Sequence, residues 1–334
     1  RYTNEEAYVI KKFADSIGAK TLCFNNRENG LEKVLGVNAS PNTINEVLSA
    51  DVILCAGFIA KENQVIRLKL KQAAKNGAKV ILVNPEGYAQ DHMSFAYKTV
   101  ETDNSLGFFK GVAKALLDMG KGTGVEGFDA FKASVEAKEI AELYANAKKA
   151  MIVFQQNVVT TEAAVLLGDI AVVSGHIGKA RDGILMLKAK NNSQGLVDLG
   201  ITAGAEAMEG VKALLVFGED PAPELLKELV FLMVCDTHMT EAAKLADVVI
   251  PGTGFASTYG TYTNTERRLQ VVEQAIEEDV VFSNWEVAAE LAHVYEVEMP
   301  FDDVEDISDE MNDKLPVYRY AEMGEIYGGV LACK

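Results

Sequence analysis

Apolar positions along this chain repeat in two ways. Short uninterrupted apolar runs recur at 52–56, 80–83, 150–154, 213–217, 232–235 and 248–250. Between them lie longer stretches whose apolar residues fall at helical spacing, as at Ala7, Ile10, Phe13, Ala14 and Ile17. A continuous apolar run ending at Gly, Asn or Asp predicts a strand buried on both faces. Such runs separated by amphipathic helices predict right-handed crossovers within a parallel sheet. Residues 51–57 and 78–84, with the helical pattern of 62–76 between them, therefore form a βαβ unit. Further helices are predicted at 42–48, 104–119, 139–147, 161–174, 224–229 and 285–295, and further strands at 20–24 and 150–154. A second α/β half begins at 211, with strands at 212–218, 232–236 and 247–251 and a helical turn at 240–244. The first helix opens on a capping box of Thr3 and Glu6 and stops at Gly18. The predicted fold class is α/β: two Rossmann-like parallel-sheet domains.

A chain of 334 residues is long enough for two such cores. Hydrophobic content of 49% and charged content of 24% suit a soluble globular protein. The net charge of −17 argues against nucleic acid or an anionic membrane surface as a partner. Part of the acidic excess lies in 302–313, which reads as a solvated connector. No apolar run reaches the length of a membrane span and no secretory leader opens the chain, which predicts a cytoplasmic protein, peripheral to a membrane only through a complex. Cys23, Cys55, Cys235 and Cys333 are scattered, and the strand settings of Cys55 and Cys235 predict inert buried thiols. Iron–sulfur and zinc sites need grouped ligands, so any cluster ligands are expected upstream of Arg1, in a longer polypeptide of which this is a piece.

Open parallel sheets bind ligands at the carboxyl ends of their strands. Here those ends carry Gly57, Asn84 and Gln155 to Asn157 in one half, and Gly218, Glu219, Asp220, Asp236, Thr237 and Thr240 in the other. Gly57 allows close approach of a ligand or merely makes the turn into the next helix. No G-x-G-x-x-G follows it, so ordinary dinucleotide binding has little support.

The wording of 232–270, LMVCDTHMTEAAKLADVVIPGTGFASTYGTYTNTERRLQ, resembles the molybdopterin oxidoreductases, particularly the formate dehydrogenase α chain and the large iron–sulfur subunit of bacterial NADH:quinone oxidoreductase. The opening T-N-E-E at 3–6 and the phrase K-N-N-S-Q-G-L-V-D-L-G at 190–200 are similar to the same family. The resemblance implies an inserted topology: an α/β domain at 20–195 within a second one made of 1–19 and 196–300, followed by an acidic connector and tail at 301–334. It also implies molybdopterin guanine dinucleotide lying across the two sheet edges.

Five departures from the family pattern cut against that cofactor. Residues 25–30, N-N-R-E-N-G, stand where the family has a thiolate or selenolate followed by His. Glu86 replaces the Arg of D-P-R, and Lys188 replaces an active-site Arg whose bidentate fork Lys cannot reproduce. Gln155-Gln156-Asn157 replaces a glycine-rich turn, and the chain ends soon after the G-G-V-L-A-C of 328–333. They predict a segment with no cofactor, no metal and no catalytic residue, in which Glu86, Gln155, Gln156 and Lys188 fill the pterin volume. The eight edge residues Gly57, Asn84, Gly218, Glu219, Asp220, Asp236, Thr237 and Thr240 would then be a remnant pterin or nucleotide site. The function so implied is a non-catalytic scaffold, of the kind of the large iron–sulfur subunit of an NADH dehydrogenase, partnered by other subunits of a redox complex. Two alternatives remain: a formate dehydrogenase-like chain binding molybdopterin guanine dinucleotide, and a small nucleotide-binding module around Gly218 to Asp220 and Thr240.

Overall fold

Two parallel sheets, each in its own compact unit, organise the chain. One unit is split in sequence, Arg1–Glu28 with Lys190–Gly328, and the other comprises Asn29–Ala189. The computed structural model describes residues 2–24, 30–87, 94–122, 130–178, 183–277, 282–315 and 318. Helix α1 (Asn4–Ser16) belongs to the split unit.

The inserted unit runs α2 (Leu31–Leu35), a 3-10 turn at Ile44–Ser49, β1 (Val52–Ala56), α3 (Ile59–Glu62), α4 (Gln64–Lys75), β2 (Lys79–Asn84), β3 (Lys98–Glu101), α5 (Ser105–Asp118), α6 (Val135–Ala145), β4 (Ala150–Gln155), α7 (Thr161–Val173) and β5 (Gly183–Leu187). Its five strands are all parallel, in the order β3-β2-β1-β4-β5. The order reverses between β1 and β4, which places a topological switch point there. Alternate residues of β1 serve different cores. Leu54 and Ala56 pack with α5, α6 and α7, while Ile53 and Cys55 pack with the 3-10 turn and α4. That two-sided burial is why these strands are unbroken apolar runs.

The free edge of β5 is covered by side chains. Asn42 Oδ1 accepts from Ile184 N at 3.0 Å, and Ser40 Oγ accepts from Met186 N at 2.9 Å and donates to Met186 O at 3.0 Å. Lys188 Nζ donates to Asn38 Oδ1 at 2.9 Å. Polar residues at every second position thus stand in for a sixth strand, and an edge so occupied cannot template further pairing.

The split unit continues with α8 (Ser193–Asp198), β6 (Ala213–Phe217), α9 (Pro223–Leu226), β7 (Phe231–Asp236), α10 (Glu241–Leu245), β8 (Val248–Pro251), β9 (Gly260–Thr263), β10 (Leu269–Val272), α11 (Asn284–Val294) and α12 (Val304–Lys314). Strands β6, β7 and β8 form a parallel sheet in that order, and β9 with β10 an antiparallel hairpin. Asn264 closes the hairpin turn by accepting from Glu266 N and Arg268 N at 3.0 and 2.9 Å. Arg267 then takes the left-handed conformation at φ 60°, the geometry of a type I turn followed by an αL residue.

Two expectations need correction. Residues 20–24 form no strand and join no sheet among the described residues. Their apolar side chains, Leu22 and Phe24, pack against the core beneath β6 and β7 without forming a backbone ladder. The acidic segment at 302–313 is not a bare connector: it contains α12, whose Ile307 and Met311, one turn apart, are buried against α1. After β8 the chain also forms the β9–β10 hairpin, which no apolar run in the sequence signals. None of the described helices is long and apolar enough to cross a membrane.

A buried polar hub joins these parts. Thr3, Asn4, Glu5 and Glu6 are each 2% exposed or less. The capping box forms as the sequence predicts, Glu6 N donating to Thr3 Oγ1 at 3.1 Å and Thr3 N to Glu6 Oε2 at 2.7 Å. Asn4 Nδ2 donates to Thr261 and Thr263 hydroxyls at 3.0 Å, and Glu5 accepts from Thr261 N at 2.8 Å and Thr261 Oγ1 at 2.7 Å. Ser308 Oγ on α12 donates to Glu5 at 3.2 Å, and Asn284 Nδ2 at the start of α11 donates to Glu6 Oε1 at 2.9 Å. Four polar residues in a row are buried because β9, α11 and α12 supply their partners.

Burial lifts the Glu6 carboxyl to about 7, against the lowering pull of the Thr3 N–H and Asn284 bonds. A folded value above the unfolded 4.5 means the fold prefers the protonated form. Its stabilising effect is complete below pH 4.5 and is lost as pH rises through 7. Urea unfolding from pH 4.5 to 7.5 is expected to show a fall of about 3 kcal/mol owing to this group. In Glu6→Gln that part of the slope should vanish while overall stability drops; an unchanged slope would show that Glu6 does not titrate in this window.

Candidate functional site

The carboxyl edge of the split unit's sheet is built from the loops after β6, β7 and β8. Gly218, at φ +63°, lies against the Tyr2 ring, and a Cβ there would overlap it. Tyr2 itself donates through its hydroxyl to Cys235 O at 3.4 Å and stacks edge-on to Phe217. Glu219 accepts from Cys23 Sγ at 3.2 Å and from Phe24 N at 2.8 Å. Asp220 accepts from Ala242 N, in the first turn of α10, at 3.0 Å. Thr240 caps that helix through Ala243 N at 3.1 Å. Glu219, Asp220 and Thr240 thus hold the loops in place.

Asp236 is different. Its Oδ1 accepts from His238 N at 3.1 Å and Thr237 Oγ1 at 3.4 Å, and Thr237 Oγ1 pairs with His238 Nδ1 at 2.7 Å. The carboxylate is thereby oriented from one side, with the exposed Thr237 and His238 beside it. After β8, Thr253 N donates to Asn284 Oδ1 at 2.9 Å, which links this edge to the hub through Glu6. Sequence reasoning named Gly218 to Asp220, Asp236, Thr237 and Thr240. It missed Tyr2, His238 and Asn284, although Tyr2 stands immediately before the T-N-E-E phrase and His238 lies within the 232–270 phrase.

The inserted unit's edge has another character. Gly57 has φ +108°, and a Cβ there would stand 2.8 Å from Gln155 Oε1. Gln155 is 2% exposed, and its Nε2 donates to Glu62 Oε2 at 2.8 Å. Its Oε1 is buried with no hydrogen-bond partner. Asn84, with its amide oriented as its surroundings require, donates to Gly57 O at 2.9 Å. Gln156 Oε1 accepts from Lys188 Nζ at 3.4 Å. Gln155, Gln156 and Lys188 therefore crowd the switch point, with Gln155 over the one residue whose lack of a side chain would admit a ligand. Glu86 does not join them: it is exposed, and its N–H donates to Asp103 Oδ1 at 3.0 Å.

No group of three or more His, Cys, Asp or Glu side chains placed to hold a metal occurs among the described residues. Cys55 and Cys235 are buried free thiols, and burial raises both, Cys235 to about 11. Residues 25–29 and 328–333, where the sequence departs from the family's metal-ligand and C-terminal phrases, lie outside the described residues.

Comparison with known proteins places this geometry. Residues 1–294 match the family model of the molybdopterin oxidoreductases. The F420-dependent formate dehydrogenase subunit alpha of Methanocaldococcus jannaschii is 26% identical over 96% of this chain and 60% of its own length. Formate dehydrogenase H of Escherichia coli is 22% identical over 97% of this chain and 57% of its own. The chain thus spans less than two thirds of the length of these relatives. Among solved structures, a chain of the formyltransferase/hydrolase complex FhcABCD from Methylorubrum extorquens superposes with TM-score 0.63 at 17% identity, covering 88% of each chain. Acetylene hydratase from Pelobacter acetylenicus superposes with TM-score 0.61 at 14% identity, covering 92% of this chain and 60% of the other. These two show a shared fold.

The expectation of a segment with no cofactor is overturned by the family match, because proteins of this family bind a molybdopterin cofactor. The two edges fit such a group unequally. At the inserted unit's edge Gln155 occupies the approach to Gly57, which does not suit a phosphate or pterin. At the split unit's edge, a half-buried, pre-oriented carboxylate flanked by hydroxyl and imidazole suits the N–H edge of a guanine base. On the match over residues 1–294, together with these edges, the chain belongs to the molybdopterin oxidoreductase family.

Proposed function

We propose that this chain is part of the α-type subunit of a redox complex of the formate dehydrogenase class, and that its split unit holds the guanine end of a molybdopterin guanine dinucleotide. Asp236 carries the reading. One of its oxygens is fixed by the His238 N–H, so the other points its acceptor capacity away from the loop. A carboxylate held in this way accepts the paired N–H donors of guanine, and a charge-assisted pair is stronger than a neutral one. Thr237 and His238 border the base, Gly218 keeps the neighbouring loop close to the sheet, and Thr240 with Asp220 fixes α10 beside it. The bound group supplies the redox chemistry; the residues named here bind and orient it. The relatives named as α subunits of formate dehydrogenases support the complex, in which other subunits are the partners.

A second reading, a non-catalytic scaffold within an NADH dehydrogenase complex, draws on the inserted unit. There Gln155 sits over Gly57 and Lys188 is tied to Asn38 and Gln156, an arrangement that serves rigidity rather than ligand exchange. The two readings differ in what Asp236 does. Calorimetric titration with GDP is expected to give a dissociation constant of about 10 μM, near −7 kcal/mol. Asp236→Ala should weaken it by about tenfold to a hundredfold, the worth of hydrogen bonds to a charged group. Absence of binding at millimolar GDP, or equal binding by the variant, would leave the scaffold reading in place.

The contact between Gln155 and Gly57 has its own test. Gly57→Ala is expected to destabilise the protein by about 2–3 kcal/mol, from the positive φ and the clash together. Combining it with Gln155→Ala should recover about 1 kcal/mol of coupling, read as a non-additive urea midpoint. Strict additivity would mean that Gln155 does not fill the space above Gly57.

A further inference from the structure

Helix α4 of the inserted unit carries apolar residues on both of its faces. Its inner stripe, Ile66, Leu70 and Ala73, is buried against the 3-10 turn and one side of the sheet. At 3.6 residues per turn Leu68 falls opposite that stripe, with Val65 beside it. Val65 is 62% exposed and Leu68 61%. The outer face of a surface helix ordinarily carries polar residues. Residues three apart are neighbours on a helix, so Val65 and Leu68 form one apolar ridge rather than two scattered positions.

The charge around this ridge is the reverse of the chain's. Residues 61–79 hold Lys61, Arg67, Lys69, Lys71, Lys75 and Lys79 against one acid, Glu62, whereas the whole chain has 32 Lys and Arg against 49 Asp and Glu. By the same helical period Lys69 flanks the ridge on one side and Lys71 on the other, with Lys75 two turns on from Leu68. A lysine in the last turn complements the helix dipole, which accounts for Lys75. It does not account for Lys69 and Lys71. Neither enters a salt bridge among the described residues, unlike Lys98 and Lys114 of the same unit, which pair with Glu139 and Asp118. The carboxylates nearest α4 are bonded to other groups. Glu62 accepts from Gln155 Nε2 at 2.8 Å, Glu46 on the 3-10 turn from Thr43 N at 2.8 Å, and Asp51 from the main-chain N of Lys148 and of Lys149 at 2.9 Å.

We propose that the outer face of α4 docks an acidic amphipathic helix of a partner protein, whose apolar stripe packs on Val65 and Leu68 and whose carboxylates pair with Lys69 on one side and Lys71 on the other. Lysines on both sides of an apolar ridge match carboxylates on both sides of an apolar stripe, and ridges of this kind pack helix on helix. Nucleic acid has no use for an apolar ridge. Both it and an anionic membrane also present a long array of negative charge to a chain of net charge −17. A short acidic helix meets mainly the local charges, because exposed charges are screened beyond about 8 Å at physiological ionic strength. The acidic helix α12 of a second copy does not serve, since its apolar residues Ile307 and Met311 are already buried against α1.

The test uses the full chain and a fluorescein-labelled peptide of tandem Glu-Leu-Ala-Glu-Leu-Leu-Glu repeats, whose leucines recur at helical spacing. Fluorescence anisotropy is expected to give a dissociation constant of about 10–100 μM that rises with added salt. Hydrogen exchange should slow within 64–75 when the peptide is bound. Leu68→Ala, at an exposed position, should weaken binding by about fivefold. Lys69→Glu with Lys71→Glu should weaken it by about tenfold or more, and a peptide with Lys in place of Glu should not bind. No binding at about 1 mM peptide, equal binding by the Lys peptide or by either variant, or protection away from α4 would each overturn the proposal. Binding of phosphatidylglycerol vesicles or of a single-stranded oligonucleotide through the same lysines would also overturn it, as would self-association of the chain that Leu68→Ala abolishes. GDP binding should be unchanged in every variant and reports the guanine site separately, so failure of one reading leaves the other standing.

Discussion

The split unit depends on one constraint: four consecutive polar residues at the start of α1 are buried and need hydrogen-bond partners from elsewhere in the unit. Thr3 and Glu6 satisfy each other and the first turn of the helix. The Asn4 Nδ2 and the Glu5 carboxyl are bonded by β9, Glu6 further by α11, and Glu5 further by α12. Removing any of those partners leaves a desolvated amide or carboxylate, a loss of about 1–3 kcal/mol or more for each. The hub therefore fixes where the hairpin and both C-terminal helices sit. Asn192 reinforces it, donating to Tyr2 O at 2.9 Å and accepting from Thr263 N at 2.8 Å.

The hub also reaches the candidate site. Asn284 bonds Glu6 on one side and Thr253 N on the other, so the loop after β8 is positioned by the same carboxyl whose protonation the interior favours. Tyr2, next to the hub, supplies the ring against which Gly218 packs. The binding edge is thus rigid for reasons that lie beneath it. Its loops are held by Glu219, Asp220 and Thr240, which leaves Asp236, Thr237 and His238 as the groups turned to solvent.

Two sheets of the same parallel type reach different ends. In the inserted unit the edge strand is covered by Asn42 and Ser40, and the switch point is filled by Gln155. In the split unit the carboxyl edge stays open around Asp236, and β6 lines a groove. Parallel topology makes crevices at strand ends and leaves donors on edge strands. Whether a crevice or an edge is used or closed is decided by single side chains, here Gln155, Ser40 and Asn42.

By itself the sequence determined most of the buried strands and long helices and the resemblance to the family. Unbroken apolar runs of strand length at β1, β2, β4 and β7, ending at turn residues, pointed to buried strands between helices, and Thr3 with Glu6 announced the helix start, because burial and capping are local demands written at fixed spacing. Most of the candidate edge residues followed from strand ends and turn chemistry. Tertiary structure decided what those residues do. Glu219 and Asp220 have the composition of a ligand site but bond to Phe24 and Ala242, partners many residues away that no local pattern names. Residues 20–24 have a strand's composition and no strand partner, since pairing is a choice made by the whole sheet and not by the segment. The acidic α12 read as solvated charge because two apolar residues one turn apart, Ile307 and Met311, are too few to signal burial until α1 is there to receive them.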